Sequence, residues 1–172
     1  PRRTRAPAHG PPTPRPGLTR CAAEVGQLWC ASAEFYTRRG HFEQARDVYE
    51  EGMEAVCTVK DFSQIFDAYA QFQEALVSLK VEKDAASVEG EDEIEEDLDF
   101  SIKDELNLQI DRLEFLVERR PEIMNAVLLR QNPHNVHEWH KRVHIFRERK
   151  DADMYERIVA TFTEAVQTVD PM

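Results

Sequence analysis

The chain has 172 residues, with 22 lysines and arginines against 33 acidic residues, which gives a formal net charge of −11. This length is enough for one domain with a buried core, and no run of about 18 apolar residues suggests a membrane span. The excess of acidic residues argues against a protein that binds nucleic acid by neutralising phosphates. Three cysteines are too few for a disulfide scaffold, and an odd number cannot all pair.

Residues 1–26 are predicted to form a disordered leader rich in proline and arginine. Residues 1–20 hold six of the nine prolines and five arginines but no acidic residue. With almost no large apolar side chain, such a segment cannot offset the entropy lost on ordering. A targeting peptide would also be amphipathic, which this density of proline prevents. The chain starts with Pro1 and not with methionine, so we expect a piece of a longer protein whose folded region spans residues 27–172.

From Leu28 onward, apolar residues recur at the three- and four-residue spacing of an α-helix. Six such stripes are present, and each predicts a helix with one face that packs against a neighbour. The stripes begin at Trp29, Phe42, Phe62, Leu106, Val136 and Tyr155. No segment shows the two-residue period of a strand, and no turn has a β-hairpin sequence. The sequence therefore predicts an all-α fold in which six helices pair as three antiparallel hairpins.

Helix boundaries are predicted from capping and breaking residues. Gly40 lies between the first two stripes, where a residue in the left-handed conformation would end a helix. Capping-box spacing precedes the third, fourth and fifth stripes at Asp61–Gln64, Ser101–Asp104 and Asn135–Glu138. Pro121 is expected to end the fourth helix, because the residue before a proline avoids α geometry.

The negative charge is concentrated in one segment. Residues 82–105 hold twelve acidic residues and two lysines. We interpret residues 82–100 as a disordered, solvated insertion between the two helices of the second pair. The alternative is a docking segment for basic segments of a partner protein, with Ile94, Leu98 and Phe100 as apolar contacts.

The helix pairs are related as an internal repeat. An aromatic residue opens the first helix of each pair at Trp29, Phe66 and Trp139, and the second helices correspond at residues 45–52 and 158–165. Aromatic and small side chains at these places would allow close helix packing. We expect eight structural repeat positions, which pack the repeats and bind no ligand: Trp29, Tyr36, Ala45, Tyr49, Phe66, Tyr69, Trp139 and Phe162.

The pattern WxxxAxFY at 29–36, followed by ARxVYEE at 45–51, resembles the HAT (half-a-TPR) repeat of RNA-processing scaffolds. Three longer stretches, at 40–52, 127–143 and 163–171, resemble the middle of the Syf-one family of pre-mRNA-splicing factors, also called the XPA-binding protein two family. This resemblance covers roughly residues 27–172 and leaves out the proline-rich leader.

The resemblance implies an α-solenoid of HAT/TPR-like helix pairs that acts as a non-enzymatic scaffold in the nucleus. It implies a role in pre-mRNA splicing through contacts with other proteins of the spliceosome and the nineteen complex. Animal members of the family are also linked to transcription-coupled repair. No catalytic residue, metal or cofactor follows from the resemblance.

Two other classes of protein remain open. A tetratricopeptide-like, peptide-binding adaptor would have the same helical spacing. A small metal-binding protein would use the cluster His134, His137, His140 and His144, of which the last three share one helical face. Histidines at i and i+4 can hold a metal ion, but no cysteine lies near them and a third ligand cannot be named.

Signatures of catalysis and of RNA binding are weak. No nucleophile motif or phosphate loop is present, and the six glycines are scattered. The basic clusters, at 119–120, 130, 141–142 and 147–150, are interleaved with acidic residues. Because they lack an exposed aromatic platform on which bases could stack, direct RNA binding is not expected.

Overall fold

The computed structural model describes residues 25–88 and 96–169, with only the backbone described for 84–88 and 96–103. These residues form six α-helices and no strand: α1 Val25–Thr37, α2 Phe42–Ala55, α3 Val59–Val88, α4 Glu96–Gln131, α5 Val136–Arg149 and α6 Met154–Thr168. For this part of the chain, the prediction of an all-α fold is confirmed. No described helix is both long and apolar enough to cross a membrane.

Consecutive helices pack as antiparallel pairs, α1 with α2, α3 with α4 and α5 with α6. The connections at residues 38–41 and 150–153 are too short for any other arrangement of the first and third pairs. In the first connection, Gly40 has φ +78°, the left-handed conformation predicted for it. In the second pair, Arg120 lies 3.8 Å from Asp67, whereas Lys80 pairs with Glu105, so α3 and α4 run in opposite directions.

The first helices of the first two pairs, α1 and α3, lie side by side and parallel. The Gly26 amide donates to the Asp61 carboxylate at 3.2 Å, and the Cys30 thiol lies 3.8 Å from the Gln64 carbonyl oxygen. Contacts therefore advance in the same direction along both helices. Because Gly26 lies in the first turn of α1, Asp61 satisfies an amide that has no partner within its own helix.

The second helices, α2 and α4, are also parallel. Arg112 donates to Glu43 at 3.1 Å, and one heptad further along both helices Arg119 lies 3.5 Å from Glu50. Arg130 donates to the backbone carbonyls at the end of α2, including that of Met53 at 3.0 Å. A cation at this place satisfies carbonyls without helical partners and complements the helix dipole.

The hydrophobic core lies between the first two pairs. Twelve buried apolar residues form it: Ala33, Ala45, Tyr49, Met53, Val56, Phe62, Ile65, Phe66, Tyr69, Phe72, Leu116 and Val127. Members come from α1, α2, α3 and α4, so neither pair encloses the core alone. This distribution is expected when repeats bury their apolar faces against each other.

The third pair joins the array through α4. Among the described helices, α5 packs against α4 and α6 but not against α3. Glu122 of α4 accepts a hydrogen bond from Arg149 of α5 at 2.8 Å and another from Arg157 of α6. Asp151, between α5 and α6, pairs with both arginines at 3.2 and 3.5 Å. One charged network therefore holds three helices together.

The prediction that Pro121 ends the fourth helix is wrong, because α4 continues through it to Gln131. Residues 122–131, which this prediction placed beyond the end of the helix, are helical. A proline inside a helix costs roughly 3 kcal/mol. Leu116 and Val127 lie on either side of Pro121 and are both in the core, so burial of both halves stabilises the continuous helix.

Two of the three predicted helix starts are displaced. Thr58, not Asp61, precedes α3, and its hydroxyl accepts from the Asp61 amide at 3.1 Å. Ser101 lies inside α4, which already begins at Glu96. Asn135 is the N-cap of α5 as predicted, and its side chain accepts from the His137 amide.

The predicted acidic insertion, residues 82–100, is largely helical where the structure describes it. Residues 82–88 belong to α3 and residues 96–100 to α4, which corrects the expectation of disorder for these two parts. Residues 89–95 lie outside the described residues, as do residues 1–24 of the predicted leader.

Candidate protein-interaction surface

The first pair shows how a repeat position is built. Trp29 of α1 lies against Gly52 of α2, and a Cβ atom added at Gly52 would lie only 3.0 Å from the Trp29 ring. Glycine in a helix interior costs about 1 kcal/mol relative to alanine, so this position gives up helix propensity for close approach of the indole. In the third pair, Trp139 and Ala165 line a common cleft between α5 and α6.

Stacked tyrosines join the first pair to the second. The rings of Tyr49 in α2 and Tyr69 in α3 are 5.0 Å apart and nearly parallel. Phe72 lies beside both rings. Burial raises the pKa of each tyrosine to about 12, because the interior disfavours the charged phenolate.

The eight predicted repeat positions differ in burial. Five are buried, namely Ala45, Tyr49, Phe66, Tyr69 and Trp139, while Trp29 and Tyr36 are half-buried. Phe162 differs from the expectation of a packed residue, because 44% of its surface is exposed. Trp139 is the fourth residue of α5, and the fourth residue of α3 is the buried Phe62. Phe66, which was predicted to correspond to Trp139, lies one turn further along α3.

An apolar stripe runs along the outer side of α6 and is largely exposed. Its members are Tyr155, Val159, Phe162 and Val166, with exposed fractions of 76%, 65%, 44% and 80%. Their spacing of four, three and four residues places them on one side of the helix. We call these four residues the α6 face.

The same face of α2 is covered by the second pair. In the repeat, Tyr49 corresponds to Phe162 and Met53 to Val166. Tyr49 and Met53 are 3% and 1% exposed, because α3 and α4 pack against them. The α6 face is therefore built like a helix surface that receives a further helix pair.

A cleft of about 420 Å³ extends the α6 face toward α5. Val136, Trp139 and His140 contribute from α5, and Phe162 and Val166 from α6. The indole NH of Trp139 donates to the Pro133 carbonyl oxygen at 2.7 Å. Because this hydrogen bond satisfies the only polar atom of the Trp139 side chain, the ring offers an apolar wall to the cleft.

The histidine cluster is exposed. All four histidines, His134, His137, His140 and His144, lie at the surface, and His144 is 3.4 Å from Glu148. No group of three or more possible metal ligands occurs among the described residues. Nothing in this part of the chain therefore supports the metal-binding alternative.

Several basic residues considered for RNA contact are engaged within the protein. Arg119 and Arg120 pair with Glu50 and Asp67, and Arg130 donates to backbone carbonyls of α2. These cations thus connect neighbouring helices. The arrangement favours contacts between helices over phosphate binding.

Stacked antiparallel helix pairs, a core shared between pairs and a further uncovered helix face define a helical-repeat protein of the solenoid class. The family model described as "Pre-mRNA-splicing factor SYF1 middle HAT repeat" matches residues 12–169. The chain belongs to this family, as the resemblance to the Syf-one family predicted. The match begins at residue 12, inside the predicted leader, so the similarity extends further toward the N-terminus than expected.

Curated relatives are similar over most of the chain. The chain is 52% identical over 157 residues to "Pre-mRNA-splicing factor SYF1" of Homo sapiens, which covers 91% of this chain and 17% of the relative. The Drosophila melanogaster homologue is 48% identical, with 91% and 16% covered, and the Neurospora crassa protein is 42% identical, with 91% and 18% covered. The chain thus spans about one sixth of the length of these relatives.

Proposed function

We propose that this chain is part of a non-enzymatic scaffold that acts in pre-mRNA splicing in the nucleus. Membership in the SYF1 middle HAT family supports this role, since the similar proteins of human, fly and fungi are named pre-mRNA-splicing factors. The partners are other proteins of the spliceosome and the nineteen complex. We propose transcription-coupled repair in animals as a second role.

The observation that carries the mechanism is the uncovered α6 face. A further helix pair of the same repeat type packs on it, as α3 and α4 pack on α2. Tyr155, Val159, Phe162 and Val166 lose their exposed apolar surface in this contact, at a gain of roughly 25 cal/mol per Å². The scaffold thus works by presenting rigid, extended helical surfaces, and its chemistry is burial of apolar area.

The proposed role of residues 82–100 is secondary. Their carboxylates attract basic segments of partner proteins, and this field is screened over about 8 Å at physiological salt. If this is so, replacing the acidic residues at 89, 91, 92, 93 and 95 by serine and asparagine removes one partner and leaves the helical content unchanged. A loss of helical circular dichroism would instead assign these residues to the fold.

Affinity purification from nuclear extract tests the splicing role. The tagged chain is incubated with extract and the bound proteins are identified by mass spectrometry. We expect splicing proteins to be enriched over a control that carries the tag alone. Recovery of chaperones without splicing proteins would contradict the proposal and favour a tetratricopeptide-like adaptor.

The metal-binding alternative is tested on the same purified chain. The zinc content is measured for the unchanged chain and for a variant in which His140 and His144 are replaced by alanine. Stoichiometric zinc that is lost in the variant would contradict the proposal that the chain acts only as a scaffold. We expect no zinc above the level of the double variant, because the described histidines lack a third ligand.

A further inference from the structure

The outer side of α1 carries a second exposed stripe. Leu28, Ser32 and Phe35 lie on one side of the helix, and Arg39 continues the stripe in the turn that follows. Leu28 and Phe35 are 64% and 48% exposed, and the Arg39 guanidinium lies 3.9 Å from the centre of the Phe35 ring. We call these four residues the α1 face. In the described ranges, residues 25–88 and 96–169, the helices next to α1 leave this face uncovered.

The α1 face corresponds to the side of α3 that packs on the first pair. The repeat pattern of α1 recurs in α3, where Phe62 holds the place of Trp29 and a tyrosine follows seven residues later in both helices. The α1 face therefore corresponds to a side of α3 with these four members: Asp61, Ile65, Ala68 and Phe72. This side lies against the first pair, because the Asp61 carboxylate contacts α1 and the Phe72 ring lies 5.7 Å from the Tyr49 ring of α2. The α1 face thus has the position of a helix side that packs on another pair.

A groove that can receive such a side is present in the third pair. Helix α3 lies in the groove between α1 and α2, since it packs against both helices. The corresponding groove of the third pair is the cleft of about 420 Å³ between α5 and α6. Val136 and His140, which line it, hold the places of Gly26 and Cys30, the residues of α1 that contact α3. The other wall of the cleft belongs to the α6 face.

Apolar surface is available on both sides of a contact between the α1 face and this cleft. Leu28 holds the place of Asp61, which contacts Gly26, and is therefore expected to face Val136. Leu28 and Val136 are 64% and 51% exposed in the single chain, so both would bury apolar surface in the contact. Exposed apolar patches with polar rims are typical of surfaces that bind another protein.

The charges agree with the same placement. Arg39 holds the place of Phe72, whose ring lies 6.3 Å from that of Phe42. In α6 the place of Phe42 is held by Tyr155, and the exposed Glu156 is the next residue. Within the described part of the chain, Glu156 forms no ion pair. A second copy seated in this way brings the Arg39 cation to an aromatic ring and to a carboxylate without a partner of its own.

We propose that a second copy of this chain occupies the cleft between α5 and α6, seated through its α1 face as α3 is seated on the first pair. The contact is head to tail, because the two copies use different surfaces, so further copies can add at either end. The proposal rests on the function proposed for the α6 face, which is to receive a further helix pair, and it names α1 and α2 of another copy as that pair. One seated helix pair gives a small interface, so the dissociation constant is expected to be roughly 50 μM.

Sedimentation equilibrium of the purified 172-residue chain tests the proposal. One chain has a mass of 20.0 kDa. We expect this mass at about 1 μM, where both faces are free, and an average mass at least about twice as large at about 200 μM, as the dissociation constant requires.

Two variants distinguish a head-to-tail contact from other modes of association. Leu28→Glu places a charge in the α1 face, and Val166→Glu places one in the α6 face. Each variant alone is expected to remain a single chain at about 200 μM, because burial of an unpaired carboxylate is costly. An equal mixture of the two is expected to associate again, up to the mass of two chains and no further, since one intact α1 face meets one intact cleft.

Val117→Glu is the matched control. Val117 is 54% exposed on α4 and belongs to neither face, so this variant is expected to associate like the unchanged chain. Circular dichroism checks that each variant is folded. If Leu28→Glu or Val166→Glu loses its helices, Phe35→Glu or Val159→Glu replaces it, because both of these positions are exposed as well.

Three results would overturn the proposal. One is the mass of a single chain at every concentration, as expected if residues 1–24 or a different protein cover one of the two faces. Another is undiminished association of Leu28→Glu, or a mixture that stays at the mass of one chain, since either would mean that two copies join through the same face. The last is an equal loss of association in Val117→Glu, which would mean that any added charge prevents it. Recovery of splicing proteins by a chain that stays single would leave the splicing role intact, so the two failures are distinguishable.

Discussion

At the scale of single residues, helix approach depends on small side chains placed opposite aromatic ones. Gly52 allows the Trp29 ring to lie directly on α2, and Gly26 allows α1 to approach the backbone of Asp61 in α3. A Cβ atom at Gly26 would lie 3.1 Å from the Asp61 Cα atom. Both glycines are therefore required by packing between helices, although glycine is unfavourable in helices.

Replacing Gly52 by alanine is expected to destabilise the protein by about 1 kcal/mol, because overpacking against Trp29 outweighs the gain in helix propensity. In a Trp29→Ala background the same replacement is expected to stabilise by about 1 kcal/mol, since the clash is gone. Urea denaturation of the four proteins in this cycle measures both values. Stabilisation by Gly52→Ala in both backgrounds would contradict the close contact.

Because Tyr49 and Tyr69 are buried, we expect the folded protein to lose stability at high pH. Both have a pKa of about 12 in the folded chain, against an ordinary value near 10. Each neutral tyrosine contributes on the order of 2 kcal/mol to the free energy of unfolding. This contribution is complete below pH 10 and is lost as the pH rises from 10 through 12. Absorbance at 295 nm, recorded with circular dichroism, follows both events. Complete tyrosine ionisation by pH 11 with the helices intact would be inconsistent with burial of this pair.

Some residue roles could be predicted from sequence and others could not. Asn135 and Gly40 were assigned correctly, because capping and left-handed geometry are local. Asp61 was assigned as a cap of its own helix, but it accepts from the Gly26 amide of α1, a contact that only tertiary structure creates. The buried Arg46 had no sequence signal, since its partner Gln109 lies 63 residues away.

At the scale of helices, periodicity predicted the number and order of elements, whereas their ends depended on tertiary contacts. The six stripes correspond to the six described helices. The end of α4 was predicted ten residues too early, because the preference before proline was given more weight than the apolar residues beyond it. Val127 and Leu129, both buried, are the residues that could have indicated the continuation.

Replacing Pro121 by alanine is expected to stabilise the protein by about 2 kcal/mol. The change restores an amide that can donate within α4, and Pro121 is exposed, so no packing is lost. Greater freedom of the unfolded chain offsets part of the gain. Thermal unfolding compares the variant with Pro133→Ala, which lies outside a helix and lacks this gain. A lower melting temperature for Pro121→Ala would contradict a continuous α4.

The α2 and α6 helices offer a matched pair of replacements at one repeat position. Tyr49→Ala is expected to cost about 3 kcal/mol or more, because it opens a cavity beside Tyr69 and Phe72. Phe162→Ala is expected to cost less than about 1 kcal/mol in the isolated chain, since nearly half of Phe162 is exposed. Equal losses in urea denaturation would mean that the α6 face is already covered.

At the scale of the whole molecule, the described pairs form an array whose last helix has no neighbour on its outer side. The first two pairs share a core, while the third is attached through α4 and the Glu122 network. A repeat array gains stability from each neighbouring pair. We therefore expect that the α6 face is covered in the assembled state, and that splicing proteins are present in that assembly.

Hydroxyl-radical footprinting read by mass spectrometry tests this central claim. It compares the purified 172-residue chain with the same protein immunopurified in its complexes from nuclear extract. We expect Tyr155 and Phe162 to react readily in the chain alone and to become as protected as the buried Tyr49 in the complexes, while the exposed Phe115 of α4 serves as the reference. Unchanged reactivity of Tyr155 and Phe162 in complexes that contain splicing proteins would contradict the account.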